Sequence, residues 1–167
     1  MKKKLTLLLP VVLGAVVLDQ VTKLLVLKLM TLGQSIPIIP SVINLTYIQN
    51  RGAAFGMLSE HRWIFMIVSV IAICGIGIYL FGFCKERALF QLGLALIVGG
   101  GVGNMIDRVA YGYVVDMIDF CLFDFWKWIF NVADACVCIG AGMVMLALVL
   151  DIIKESRKKK ENDENNG

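Results

Sequence analysis

Asp116 and Asp134 are two carboxylates that flank the entrance to the last apolar segment of a chain otherwise suited to hydrocarbon. An ionisable residue at the bilayer centre costs roughly 2.5–3.5 kcal/mol on insertion scales, so each such residue is a functional-site hypothesis by default. Two facing carboxylates have a defined chemistry when they share one proton. The ionised member takes a proton from water while the protonated member polarises a carbonyl, which hydrolyses a peptide bond through a tetrahedral intermediate without a metal or a covalent intermediate. Such a pair titrates as a unit, so neither carboxylate can be assigned the proton in advance.

Further polar residues gather around them. Asn104, Asp107 and Arg108 stand at i, i+3 and i+4 and share one face if the third apolar segment is helical that far. Asn131 and Asp134 are i and i+3 at the start of the fourth, and Asp19 lies one turn before Lys23 in the first. Plainer readings compete. Asp19 with Lys23 and Asp107 with Arg108 could be simple ion pairs, Asn131 reads as an N-cap, and a carboxylate is cheap beside a helix N-terminus.

The elements that must position these groups follow from composition. The 167 residues are 59% hydrophobic and 17% charged, with a mean hydropathy of +0.80, too apolar for a soluble domain of this size. Four stretches approach the ~20 apolar residues needed to cross a bilayer, at about 5–30, 63–83, 88–106 and 132–150. They make one integral membrane domain, with outer loops at 31–62 and 107–131 and a solvated, disordered tail at about 158–167. The first stretch follows Lys2, Lys3 and Lys4 and imitates a signal peptide, but no small-residue cleavage site follows, so it is expected to stay as a helix.

Ten of the 16 Lys and Arg lie at 2–4, 85–87 and 154–160, on one side of the membrane if the chain crosses four times. Both termini are then cytoplasmic, and the polar residues converge on the outer face. The net charge of +3 reads as this asymmetry plus attraction to anionic lipid headgroups. It is no nucleic-acid footprint, since no aromatic residues interleave the basic ones. Five cysteines without a C-x-x-C spacing and a single histidine, His61, argue against a metal site. Pairing of Cys121 with Cys136 or Cys138 stays open.

Residues 85–87 join the second and third segments so tightly that these must be antiparallel neighbours. Residues 42–49 are rich in β-branched types after Pro37 and Pro40, and 111–115 offer a second short strand, so a small sheet is expected on the outer face. Trp63, Trp126, Trp128 and nearby tyrosines suit an aromatic belt. The glycines at 99–101 and 103 permit close helix contact and lack the strand and Lys-Ser/Thr of a phosphate loop. A transporter would show internal repeats and midplane charges; the sequence has no repeat, and its second and fourth spans carry no midplane charge.

The sequence resembles the lipoprotein signal peptidase (signal peptidase II) family of bacterial aspartic peptidases. The matching motifs, in order, are DQVTK at 19–23, QNRGAAFG at 49–56, GGVGNMIDR at 100–108, VVDMID at 114–119 and FNVAD at 130–134. The resemblance implies a mainly α membrane protein of four transmembrane helices with a small β-sheet or cradle on the extracytoplasmic face. It places the catalytic pair on Asp116 and Asp134. Supporting and substrate-binding positions fall on Asp19, Lys23, Asn50, Gly52, Phe55, Asn104, Asp107, Arg108 and Asn131, with Gly52 and Phe55 in a loop over the site. It implies no cofactor and no metal. The partners it implies are a diacylglyceryl-modified prolipoprotein, cut just before its lipidated cysteine, and membrane lipids, with the enzyme a monomer in the bacterial cytoplasmic membrane. Trp128 stands where many members carry proline, which bears on the local loop shape.

Overall fold

The computed structural model describes residues 2–52, 62–122 and 128–165. Its elements run α1 (Lys2–Leu29), β1 (Ser35–Ile39), β2 (Ile43–Asn50), α2 (Arg62–Ile78), α3 (Ala88–Ala110), β3 (Val114–Phe120), β4 (Ile129–Phe130) and α4 (Val132–Asn165), with a π-helical turn at Tyr79–Phe83 extending α2. Among the described residues four segments are long and apolar enough to cross a membrane: Thr6–Leu29, Met66–Phe83, Ala88–Ala110 and Val132–Lys159. Backbone polar groups have no partner in hydrocarbon, so helices that close every bond internally are the economical solution there. Leu18, Val21, Leu25, Ile71 and Leu146 point outward, as suits helices whose solvent is lipid.

Helix packing inside a bilayer gains little from apolar burial and depends on close approach. α3 is the central helix, packed on α4, α1 and α2. Its small residues allow this: a Cβ at Gly93 would lie 2.6 Å from the Gly140 carbonyl oxygen, and a Cβ at Gly140 would lie 2.5 Å from that of Gly93. α1 and α3 share a core of Leu8, Val12, Leu94, Ala95 and Val98, against which Ile73 and Ile76 of α2 also pack. On its other flank α2 leaves an apolar groove of about 410 Å³ against α3, lined by Val70, Ile73, Met105 and Val109 among others.

At one end of the bundle lies an antiparallel sheet in the order β1-β2-β3-β4. Tyr47, Val115 and Met117 pack its inner face on Val26 and Met30 at the end of α1. The small sheet was expected, but its strands differ from the sequence reading. β2 is shifted by one residue from 42–49. The second strand does not begin at Tyr111: Gly112 takes φ +76°, Tyr111 and Tyr113 stack at 5.8 Å, and the strand starts at Val114. β1 precedes the expected strands and contains Pro37; it is an edge strand, where the missing N–H of Pro37 can be tolerated.

Two helix ends also differ. α3 continues to Ala110, four residues past the expected 106, which puts Asp107 and Arg108 on the helix. α4 runs through Asn165, where a disordered tail from about 158 was expected. At ~1.5 Å per residue it is ~51 Å long against ~30 Å of hydrocarbon, so its charged end projects beyond the apolar layer, where intrahelical bonds are enough to sustain it. All five cysteines are free, and Cys121 Sγ accepts a bond from Asn44 Nδ2 at 3.0 Å, so the open pairing with Cys136 or Cys138 is not made. Phe55 and Trp126 lie outside the described residues.

Candidate active site

Where α1, α3, β3 and the start of α4 meet, the bundle buries Asp19, Lys23, Asp107, Asp116 and Asn131. Lys23 is only 1% exposed, so its ammonium needs a full set of partners. It has them: Asp19 Oδ2 at 2.8 Å, Asp107 Oδ2 at 2.9 Å and Asn104 Oδ1 at 3.0 Å. The i, i+4 spacing that placed Asp19 and Lys23 on one helical face supplies the first contact; α3 supplies the other two. Asp107 therefore pairs with Lys23 and not with its neighbour Arg108. The Arg108 side chain donates from Nη1 to the Asn104 carbonyl at 3.2 Å.

Asn131 joins the two candidate acids. It is the N-cap of α4: its Oδ1 accepts the Asp134 N–H at 2.9 Å, and Asp134 Oδ2 accepts the Asn131 N–H at 3.3 Å. This is a reciprocal capping box with Asp at the third helical position. The Asn131 amide nitrogen donates to Asp116 Oδ1 at 2.6 Å and to Asn104 Oδ1 at 3.1 Å. The second Asp116 oxygen accepts from Asn50 Nδ2 at 2.9 Å, and Asp134 Oδ1 accepts from Asn104 Nδ2 at 2.6 Å. Asn50 Oδ1 in turn accepts the Gly52 N–H at 3.1 Å, which orients the Asn50 amide at the end of β2.

Every oxygen of the pair thus accepts from a neutral amide, and among the described residues neither acid is matched to a cation within ion-pair distance. Burial raises the Asp116 carboxyl to about 7; the charge of Asp134 adds to this, while the amides of Asn50 and Asn131 and the more distant charge of Lys23 oppose it. Asp116 can therefore carry its proton at near-neutral pH, the condition for one acid and one base side by side. Among the described residues no group of three or more His, Cys, Asp and Glu side chains is arranged to hold a metal ion, and the oxygens of Asp19 and Asp107 accept from Lys23, Gln20 and the Ala133 and Val115 N–H groups.

Of the residues singled out from sequence, Asp19, Lys23, Asn50, Asn104, Asp107, Asp116, Asn131 and Asp134 form one hydrogen-bonded network, with Arg108 and Gly52 at its margin. Gln20 had not been singled out, yet its Nε2 lies within hydrogen-bond distance of Asp19, Asp107 and the Gly103 carbonyl. Backbone groups had been missed as well. The Ala133 N–H donates to Asp19 Oδ1 at 2.9 Å, and the Val115 N–H donates to Asp107 Oδ2 at 3.0 Å. The available signal for Gln20 was its position inside the DQVTK run; nothing in a sequence marks a particular N–H.

A four-span membrane protein with paired carboxylates at one end of the bundle defines a class, and comparison with known proteins narrows it. Residues 11–150 match the family model described as signal peptidase (SPase) II. The lipoprotein signal peptidase of Symbiobacterium thermophilum is 49% identical over 136 residues, covering 81% of this chain and 90% of that one. That of Halalkalibacterium halodurans is 42% identical over 149 residues, covering 89% and 96%. A bacterial membrane enzyme solved by the in meso method superposes with a TM-score of 0.81 at 34% identity, covering 87% of this chain and 88% of that one. The chain belongs to the signal peptidase II family and is a peptidase of lipoprotein processing.

Proposed function

We propose that this peptidase removes the signal peptide from diacylglyceryl-modified prolipoproteins by an aspartic mechanism, cutting just before the lipidated cysteine. The observation that carries the reading is the pair Asp116 and Asp134, joined through Asn131 and bonded on all four oxygens by neutral amides. A salt-bridged carboxylate would be locked in its charged form, whereas amide donors leave the pair able to hold one proton between them.

In this reading the ionised carboxylate takes a proton from water as the oxygen attacks the scissile carbonyl carbon, and the protonated carboxylic acid gives its proton to the carbonyl oxygen. The tetrahedral diol then collapses. The C–N bond breaks, the amine nitrogen receives a proton from the carboxylic acid formed in the first step, and the other carboxylate recovers its proton from the diol hydroxyl. Arg108, Asn50, Gly52 and Phe55 hold the substrate beside the pair. The signal peptide arrives as a membrane helix whose C-terminal end lies at the outer face, so both termini of the enzyme are cytoplasmic and the sheet end faces outward. The lipid chains of the substrate stay in the bilayer, an extended stretch at the scissile bond lies against the sheet, and a single copy of the chain suffices.

Cleavage of a purified, diacylglyceryl-modified prolipoprotein by the detergent-solubilised enzyme, with a chelator present, tests the mechanism. Wild type is expected to cut before the lipidated cysteine, and Asp116→Asn and Asp134→Asn are each expected to lose at least about 10³-fold in rate at matched folding. Near-full activity in either variant would remove the pair from the chemistry.

A further inference from the structure

The two acids sit on different elements, Asp116 on β3 and Asp134 on α4, and no covalent feature fixes their separation. The residues immediately before them are held in matching fashion. The Val115 N–H bonds to Asp107 and the Ala133 N–H bonds to Asp19, so each acid follows directly on a backbone group anchored by a buried carboxylate. The two anchoring carboxylates are tied to each other twice. Lys23 Nζ bonds Asp19 Oδ2 and Asp107 Oδ2, and Gln20 Nε2 lies 3.2 Å from Asp19 Oδ2 and 2.9 Å from Asp107 Oδ1.

Resting on the aspartic reading above, we infer that Lys23 and Gln20 form a two-point calliper that sets the spacing of Asp116 and Asp134, which makes Gln20 a positioning residue for the peptidase reaction. A single ammonium between two carboxylates is a pivot, because a compact –NH3+ imposes little direction on its partners. A second donor on the other oxygen of Asp107 removes that freedom. Gln20 is also the right type of donor. Asp19, Lys23 and Asp107 together carry one uncompensated negative charge when ionised, and a neutral amide supplies hydrogen bonds to both carboxylates without changing that charge. Nε2 has two N–H groups for three acceptors, so the one not directed at Asp107 is shared between Asp19 Oδ2 and the Gly103 carbonyl at 3.1 Å.

A calliper predicts a signature that a merely structural glutamine would not give. Gln20→Met keeps the length of the side chain but cannot donate. With Lys23 still in place the variant is expected to fold, and turnover is expected to fall about ten- to a hundredfold, since small misplacements of reacting groups cost that much. The alkaline limb of kcat/KM is expected to move to lower pH. Acids that drift apart press less on one another's proton, while the other charged groups facing them, Asp19 and Lys23 from α1 and Asp107 and Arg108 from α3, are unchanged.

Unchanged turnover, or reduced turnover with an unmoved alkaline limb, would overturn the proposal. If Gln20→Met does not fold, amide hydrogen exchange in the wild-type protein decides. The Ala133 N–H sits in the first turn of α4, where amides ordinarily exchange early, and the calliper requires it to be as protected as the Val115 N–H in the sheet. Rapid exchange at either amide would refute the calliper. Asp116→Asn and Asp134→Asn run alongside: activity in either overturns the aspartic reading and this proposal with it, whereas inactive acid variants beside an unperturbed Gln20→Met overturn this proposal alone.

Discussion

Each end of the bundle carries an ion pair between helices, and the two are built on opposite terms. At the sheet end Lys23 is almost wholly buried between Asp19 and Asp107. At the other end Arg87, just before α3, meets Asp151 of α4 with about a third of each side chain exposed. A partly exposed pair is screened by water and salt and fastens the start of α3 to α4 loosely. A buried set repays its desolvation only by completing every hydrogen bond, which it does here, and in doing so it fixes backbone positions beside the two acids. Burial of charge is spent on geometry at the end that holds the two acids; at the other end the pair only links the start of α3 to α4.

The largest effect that could break this contrast is at Lys23. Lys23→Met should destabilise the protein by about 3–5 kcal/mol, because two buried carboxylates lose their counter-charge. Thermal unfolding in detergent measures it, and adding Asp19→Asn in the same chain should recover part of the loss. Next comes Gly103, where a Cβ would lie 2.6 Å from Asp19 Oδ2. Gly103→Ala should cost about 1–3 kcal/mol and lower activity with it, since the displaced carboxylate is one arm of the calliper. Wild-type activity in this variant would show that the arm can give way without consequence.

An effect of pH separates Asp116 from the ion pairs. Its folded-state pKa is about 7, above that of an unfolded aspartate, so folding favours the protonated form. That contribution is complete below about pH 4 and is lost as pH rises through 7. Asp116→Asn lacks the titration and should gain stability relative to wild type as pH rises between these limits. A parallel pH dependence in both proteins would contradict it. The smallest effect belongs to Arg87→Ala, expected to cost less than about 1 kcal/mol and to matter less still at high salt.

Much of this was legible in the sequence, for identifiable reasons. Apolar length and basic asymmetry located the four spans, because the bilayer imposes both. The i, i+4 spacing of Asp19 and Lys23 gave their pair, and the Asn131 cap followed from its place before an apolar run. Partner choice between helices was not legible. Asp107 stands beside Arg108 in sequence yet bonds Lys23 from α1, since that depends on helix rotation and on how closely Gly103 lets α1 approach. Strand ends were uncertain for a related reason: the turn at Gly112 and the anchor at Val115 decide where β3 begins, and the anchor lies on another element. The end of α4 was misread because its charged composition resembles that of a solvated tail, while a helix already propagating needs only one further bond per residue.

The reciprocal cap between Asn131 and Asp134 makes the two acids unequal as tools. Replacing Asp134 by asparagine disturbs the first turn of α4 as well as the chemistry, because an amide nitrogen would face donors that now meet a carboxylate oxygen. Replacing Asp116 mimics a neutral form that the wild-type residue already adopts near pH 7, and it leaves the reciprocal cap of α4 in place. On the aspartic mechanism proposed above, an inert enzyme intended to capture an uncleaved substrate for structure determination should therefore carry its lesion at Asp116.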